Sequence, residues 1–399
     1  MEALAREISL WARPGLALHL SGDLGAGKSA FARAFIRGLA PDDRDFDIPS
    51  PSFSLVQSYD ALRVPVVHVD LYRIGSPTEV AELGLDEFLA KSLMIIEWPE
   101  KLPEDRSPDR LKISISGSGA ARDLKLEAAG KWIEILKRDE LIKGFVKQSQ
   151  VAGGTRYYFE GDASARRYER VAAKTETLLL MDMPKRPDGP VVKNGKPYSA
   201  IARLAENIRP YVAVDRALRG QGLSAPDIYA VDLDSGFAVI EDLGAEGVLD
   251  AQGAPRRDRY AAAVDVLACL HGMDLPDAIA LTDDTTYRIP PYDLDALLIE
   301  VELLTEWYAP HIGETNLSSG VRATFVNLWR QAVIEIAAAT PTWTLRDYHS
   351  PNLIWMPERD GLARVGLVDF QDCVMGHPAY DVASLLQDAR VTVPDELAT

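Results

Sequence analysis

Two unlike folds are predicted in tandem: an α/β first third built on a parallel sheet with flanking helices, and an α+β remainder in two lobes. Three observations predict them. A glycine-rich segment, Gly22-Asp23-Leu24-Gly25-Ala26-Gly27-Lys28-Ser29, lies between the apolar run Leu16-Ala17-Leu18-His19-Leu20 and a helical pattern from Ala30 to Phe35. Two further apolar runs, Val64 to Asp70 and Leu93 to Glu97, each end in a carboxylate. Beyond residue 155, strand-like stretches come first and helical ones follow.

Composition bounds the rest. A length of 399 residues suits two or three domains. Hydrophobic content of 47% and charged content of 26% suit packed cores. The formal net charge of −17 argues against a general nucleic-acid-binding surface, because phosphate backbones reward excess Lys and Arg. No apolar run reaches the roughly 18 residues of a membrane span, and the acidic start Met1-Glu2-Ala3-Leu4-Ala5-Arg6-Glu7 is unlike a signal peptide. Cys269 and Cys373 are too few for a disulfide framework, so a cytoplasmic setting is expected.

Strand, glycine-rich loop and helix together form the setting of a Walker A motif. The backbone from Gly22 to Ala30 would cradle phosphate, Lys28 would reach the β- and γ-phosphates, and Ser29 would ligate Mg²⁺. Pro49 and Pro51 hold the next segment extended or turned, with the hydroxyls of Ser50, Ser52 and Ser54 available to a phosphate or metal. The continuous apolar runs suit buried parallel strands. Asp70 and Glu97, at their carboxyl ends, both compete for the second Mg²⁺ contact or the water-orienting role. His68 reads as a packed strand residue. Leu111 to Ile115 and Leu124 to Leu126 alternate about a turn and predict an edge hairpin. The absence of an Asn-Lys-x-Asp guanine-reading element favours ATP.

Gly22 to Ser29, Ser50 to Val56, His68-Val69-Asp70-Leu71-Tyr72-Arg73, Glu82 to Glu87 and Ile96-Glu97-Trp98-Pro99-Glu100 occur in one order. Together they resemble the small P-loop ATPase of bacterial tRNA threonylcarbamoyladenosine synthesis, the TsaE family, over residues 1–130. The resemblance implies an ATPase that drives the cycle of a partner complex without itself transferring the threonylcarbamoyl group. By carry-over, Ser29 and Glu97 would serve Mg²⁺, and Ser54 and Asp70 the switch-like surroundings. The family usually has Thr where Ser29, Ser52 and Ser54 stand; the hydroxyl survives at each.

Residues 131–154 are expected to be a connector, with a helical stretch at Lys131 to Val146 and a turn at Gln148 to Gly154. The remainder, 155–399, begins as strand, small-residue loop and strand from Arg156 to Ala173, and Thr177 to Met181 predicts a third strand. Helical spacing joins Ile201, Leu204, Ile208 and Val212 over 199–219. Phe237 to Gly244 is a buried strand running into an acidic turn, where Glu241 is a nucleotide-site candidate. Much of 258–340 is expected to be helical.

The chemistry lies in Leu345-Arg346-Asp347-Tyr348-His349-Ser350-Pro351-Asn352-Leu353 and Gly366-Leu367-Val368-Asp369-Phe370-Gln371-Asp372. Kinase catalytic loops place an Asn five residues after a catalytic Asp, and a metal-binding Asp at the end of a later strand. Asp347 would accept the acceptor hydroxyl's proton, and Asn352 and Asp369 would hold Mg²⁺. The fold expected overall is therefore a P-loop NTPase sheet with flanking helices, fused to a two-lobed protein-kinase-like fold.

Gly161-Asp162-Ala163-Ser164 with Arg166, Arg167 and Tyr168, the two loops just quoted, and Ala379 to Arg390 resemble aminoglycoside-phosphotransferase-like small-molecule kinases. Within that family the resemblance is closest to bacterial N-acetylmuramate/N-acetylglucosamine anomeric kinases. It implies ATP-dependent phosphorylation of an amino sugar in cell-wall recycling. Two departures stand out. Met181-Asp182-Met183 occupies the place of the usual third-strand lysine, which moves phosphate anchoring to Ser164, Arg166, Arg167 or the loop backbone. Relatives also usually continue with further helices, whereas 18 residues follow Asp381 here (399 − 381), so a C-terminally short kinase domain is expected. The whole reads as a bifunctional fusion using ATP and Mg²⁺, with tRNA-modification proteins as partners of one half and an amino sugar as substrate of the other. The alternative is that only one half is catalytic and the other is a nucleotide-binding regulatory module.

Overall fold

A computed structural model of the chain describes residues 1–40, 46–103, 107–117, 121–160, 166–174, 176–187, 189–282 and 284–398. Two compact units separate: residues 1–159 with 170–174, and residues 160–169 with 175–399.

In the first unit, β1 (Ala17–Ser21), β2 (Val56–Tyr59), β3 (Val66–Asp70), β4 (Leu93–Glu97), β5 (Arg110–Ser116) and β6 (Asp123–Ala128) form one sheet. Its order is β2-β3-β4-β1-β5-β6. The four central strands run parallel, and β2 and β6 close the edges antiparallel. Every residue of β3 and β4 is buried, which explains their unbroken apolar sequence: helices or loops must cover both faces of a parallel sheet. In the outer pair, β5 alternates buried with half-buried residues and β6 half-buried with exposed ones, as the predicted edge hairpin requires. The helix Lys28–Arg37 buries Phe31, Ala32, Phe35 and Ile36, the 3–4 spacing of one helical face.

The helix Lys131–Lys147 differs from the connector expected over 131–154. Trp132 is fully buried and donates from Nε1 to the Ala17 carbonyl of β1 at 3.1 Å. Asp139 accepts from Trp11 Nε1 and from Arg156 Nη1, each at 2.9 Å. A linker would not bury a tryptophan and an ion pair; the helix belongs to the first unit, which reaches Phe159 and includes β7 (Thr155–Phe159).

The division between the units falls within β8 (Arg167–Ala172); the sheet-rich lobe of the second unit contains β9 (Thr177–Asp182), a short hairpin of β10 (Val191–Lys193) and β11 (Lys196–Pro197), then β12 (Ile228–Asp232) and β13 (Phe237–Ile240). Its strands pair in the order β12-β13-β9. The single helix expected over 199–219 is two, Tyr198–Ala202 and Arg209–Gly220. Arg203 turns left-handed at φ 63° and ends the first, Leu204 falls in the break, and Pro210 opens the second. The helical stretch expected over 258–340 is interrupted by a hairpin, β14 (Ala278–Thr282) and β15 (Thr285–Arg288), between helices Arg257–Gly272 and Leu294–Leu303. A 20-residue helix, Ser319–Ala338, follows. Two small antiparallel pairs carry the loops of chemical interest: β16 (Thr342–Thr344) with β19 (Val374–Gly376), and β17 (Leu353–Trp355) with β18 (Val365–Leu367). Among the described residues, no helix is long and apolar enough to cross a membrane.

Candidate active sites

In the first unit, β1 leads straight into the glycine-rich loop, and the helix beginning at Lys28 leaves it. Gly22 needs to be glycine: at φ 144°, a Cβ there would lie 2.3 Å from the Ile115 carbonyl oxygen. Gly25 and Gly27 also take positive φ, at 77° and 113°, and turn the loop back to the helix N-terminus. The exposed Asp23 and Leu24 form its outer edge, Ala26 accepts from Arg122 Nε at 2.8 Å, and Ala30 starts the partly buried helix face. Lys28 folds back into its own loop, donating to the Gly22 carbonyl at 2.7 Å and the Asp23 carbonyl at 2.9 Å. Its ammonium also lies 3.8 Å from the centre of the Trp98 ring. Burial holds the amine below the usual lysine range, against the opposing pull of Glu97 and Asp70.

Asp70 and Glu97 are register partners on adjacent parallel strands, so both carboxylates reach the same end of the sheet beside the loop. The two are not equivalent. Ser29 Oγ donates directly to Glu97 Oε2 at 3.0 Å, whereas Asp70 accepts from Ser52 Oγ at 2.6 Å and from the Tyr72 N–H at 2.9 Å. Ser50 bridges the two arms, 2.9 Å from Ser52 and 3.5 Å from Ser29. Of the three serines, Ser52 reaches Asp70, while Ser54 is exposed. Residues 51–54 form a turn, closed by the Leu55 N–H on the Pro51 carbonyl at 2.6 Å. The donor set, hydroxyl plus carboxylates, is all oxygen and fits a hard divalent cation.

In the second unit, buried Asp381 organises the loop that carries Asp347. Its two oxygens accept from the Leu345 and Arg346 N–H groups at 2.7 and 2.9 Å. Burial raises this carboxyl to about 7 even with those bonds. Arg346 at φ 70° and Asp369 at φ 62° are both left-handed, a conformation that non-glycine residues hold only when the surroundings enforce it. The Arg346 guanidinium is anchored on the Ala202 carbonyl at 2.8 Å and on Glu300. Asn352 Nδ2 donates to the Asp347 carbonyl at 2.9 Å, and the Val368 N–H donates to the Asn352 carbonyl at 3.1 Å. Asp347, Asn352 and the segment entering Asp369 are thus hydrogen-bonded into one assembly. Desolvation, then the like charges of Asp369 and Asp372, push the Asp347 carboxyl up to about 6. A partly buried carboxylate titrating there can act as a general base near neutral pH.

The remaining predicted residues fall as follows. Arg166 donates from Nη2 to Asp369 and from Nη1 to Gln371 at 2.5 Å, placing it at the metal-site candidate. Arg167 pairs with buried Glu169. Glu241, expected at the nucleotide site, is taken up by Arg359 Nη2 at 2.5 Å and the Asp227 N–H at 3.2 Å. The acidic turn is an internal tie there, since the strand end meets a basic side chain that lies 118 residues away in sequence. Ser164 lies outside the described residues. Among the described residues no group of three or more His, Cys, Asp or Glu side chains could hold a metal. Asp369 and Asn352 offer one carboxylate and one amide oxygen, a set that suits Mg²⁺ shared with nucleotide phosphates.

Several residues at these sites carried no clear sequence signal. His68 is fully buried and shares a 2.9 Å hydrogen bond with Glu97 Oε1, so it orients that carboxylate. The period of two along β3 puts His68 on the face of Asp70, which was a usable clue. Trp98, Asp381 and Gln371 act through contacts distant in sequence that no local pattern reports.

Family models match both parts: "Threonylcarbamoyl adenosine biosynthesis protein TsaE" over residues 1–124, and "Phosphotransferase enzyme family" over residues 158–399. An N-acetylmuramate/N-acetylglucosamine kinase of Caulobacter vibrioides is 38% identical over 247 residues, 59% of this chain and 68% of the relative. One of Pseudomonas putida is 30% identical, over 68% of this chain and 70% of the relative. The tRNA threonylcarbamoyladenosine biosynthesis protein TsaE of Bacillus subtilis is 34% identical, over 34% of this chain and 84% of the relative. With the catalytic-loop assembly and the phosphate loop both formed, the chain belongs to the phosphotransferase enzyme family and bears a TsaE-family ATPase-like domain ahead of it.

Proposed function

We propose that the protein is bifunctional. Its first domain hydrolyses ATP in support of threonylcarbamoyladenosine modification of tRNA, working with the partner proteins of that reaction. The remainder transfers a phosphoryl group from ATP to an amino sugar, of the N-acetylmuramate or N-acetylglucosamine kind. The observation that carries the reading is that each half builds its own phosphate-handling set. Ser29 touches Glu97 beside Lys28, and Asp347, Asn352 and Val368 are hydrogen-bonded together next to Asp369.

Mg²⁺, where bound, neutralises phosphate charge. In the first site Ser29 and Glu97 would hold it, with Asp70 behind, and His68 fixes the Glu97 rotamer. Lys28 leaves its loop carbonyls for the phosphates. In the second, Asn352 and Asp369 would hold it. Asp347 accepts the proton of the sugar hydroxyl, and Asp381 keeps the loop backbone in the conformation that presents Asp347. The anomeric hydroxyl is a suitable acceptor because it is the most acidic hydroxyl of a free sugar and needs only a weak base.

The test is Lys28→Ala and Asp347→Asn made separately, with ATP turnover followed with and without N-acetylmuramate or N-acetylglucosamine. Two sites predict that sugar-dependent turnover survives the first substitution and is lost in the second. Loss of all turnover in one variant alone would instead make the other half a regulatory module.

A further inference from the structure

Arg166 is the cation closest in role to the lysine that the third strand lacks, yet its guanidinium lies on Asp369. Asp369 Oδ1 receives two donors, Arg166 Nη2 and Gln371 Nε2, the latter at 2.8 Å. Gln371 also accepts from Arg166 Nη1 at 2.5 Å and donates to Asp372 Oδ2 at 3.1 Å. Asp372 in turn accepts from the Ala205 N–H at 2.5 Å. Asp369 sits on a left-handed backbone, and Phe370 beside it stacks on Tyr211 with ring centres 5.0 Å apart. The Arg166–Gln371–Asp369 set is therefore held in place from several sides.

A divalent cation and a guanidinium on one carboxylate repel each other, so a cation bound at Asp369 weakens the Arg166 contact. A mostly buried guanidinium released from its carboxylate needs another anion at once. Along β9 there is no lysine to do the work: Met181-Asp182-Met183 stands there. Arg167, the neighbouring cation, is engaged with Glu169. A nucleotide arriving with its metal supplies both requirements, since the metal displaces Arg166 and the phosphates receive it in the two-pronged geometry that guanidinium favours.

We propose that Arg166 serves two states of the kinase site, guarding Asp369 before nucleotide binds and moving to the nucleotide phosphates when a divalent cation takes that carboxylate. This inference rests on the phosphotransfer reading given above. It makes metal alone a poor ligand and metal with nucleotide a good one, and it assigns Arg166 the phosphate contact that a third-strand lysine makes in other kinases.

The experiment uses the full chain with Lys28→Ala in every sample, so that the first site contributes equally. Mn²⁺ binding is followed by the loss of its free electron-paramagnetic-resonance signal, first without nucleotide and then with a non-hydrolysable ATP analogue. Arg166→Gln should raise the affinity for Mn²⁺ alone by roughly tenfold or more, and lower the affinity for the Mn²⁺–analogue complex by a similar factor, the range of one charge-assisted hydrogen bond. These opposite directions are the signature, since a merely structural role would lower both. Both affinities falling together, or neither moving, overturns the proposal. Asp369→Asn should abolish the difference in Mn²⁺ affinity that Arg166→Gln otherwise makes. If Asp369→Asn instead leaves Mn²⁺ binding untouched, the metal assignment in the phosphotransfer reading is what fails, and the proposal falls with it. Should Arg166→Gln not fold, as judged by circular dichroism, Gln371→Leu removes the second donor on Asp369 and must also raise affinity for Mn²⁺ alone. An unchanged or weaker affinity in that variant overturns the proposal equally.

Discussion

Asp215 offers the sharpest quantitative test of how the second unit is built. It lies on helix Arg209–Gly220, fully buried, and neither carboxylate oxygen has a hydrogen-bond partner among the described residues. Desolvation raises its carboxyl from 3.8 to about 7, with Arg219 and Arg216 pulling the other way and Glu241 adding to the rise. A group whose folded value lies above its unfolded value favours the fold while protonated, and that contribution is lost as pH climbs through the folded value. The window is therefore pH 4 to 7, and the difference of 3.2 (7 − 3.8) corresponds to about 4 kcal/mol at higher pH. Asp215→Asn removes the ionisation while keeping size and an unpaired polar group. It should leave stability at pH 4 nearly unchanged and raise it at pH 8 by up to about 4 kcal/mol, or about 10 °C in the melting temperature of a unit this size. Scanning calorimetry of both proteins at several pH values reads the difference directly, and other titrating groups cancel between them. A pH-independent difference, or a variant less stable than the parent at pH 8, refutes the reasoning. The same helix stacks Tyr211 on Phe370 next to Asp369, so the native aspartate loosens an element that supports the kinase site.

Three further outcomes are expected. Lys28→Ala should abolish sugar-independent ATP turnover, since it removes a phosphate contact worth about 1.5–3 kcal/mol in binding and more in the transition state; unchanged hydrolysis without sugar would misassign the site. Glu97→Gln should retain ATP yet slow hydrolysis more than Asp70→Asn does, because only Glu97 touches Ser29; calorimetric binding beside steady-state turnover tests the ranking, and the reverse order contradicts it. In the Lys28→Ala background, Asp347→Asn should cut sugar phosphorylation with nucleotide affinity largely intact, while Asp369→Asn should weaken both; parent rates in both variants would exclude the assigned roles.

A single physical pattern unites the two halves. In each, the cation suited to phosphate is held on protein oxygens: Lys28 on the Gly22 and Asp23 carbonyls, Arg166 on Asp369. Buried cations need a partner, and here each has a protein oxygen as its own.

Short-range chemistry was legible in the sequence. The glycine-rich loop, the two strand-end acids, the edge hairpin and the Asp347–Asn352 spacing depend on residues a few positions apart, where backbone conformation and periodicity leave direct marks. Tertiary structure decided what depends on distant neighbours. Glu97 rather than Asp70 meets Ser29 because β4 lies between β1 and β3, an order no local pattern encodes. The helix Lys131–Lys147 became part of the first unit because Trp132 and Asp139 found Ala17, Trp11 and Arg156. Glu241 was withdrawn from the nucleotide site by Arg359, and Arg166 was brought to Asp369 from 203 residues away. A side chain's type follows from the sequence, but its partner is chosen by packing, where each buried charge takes the counter-charge that the fold places beside it.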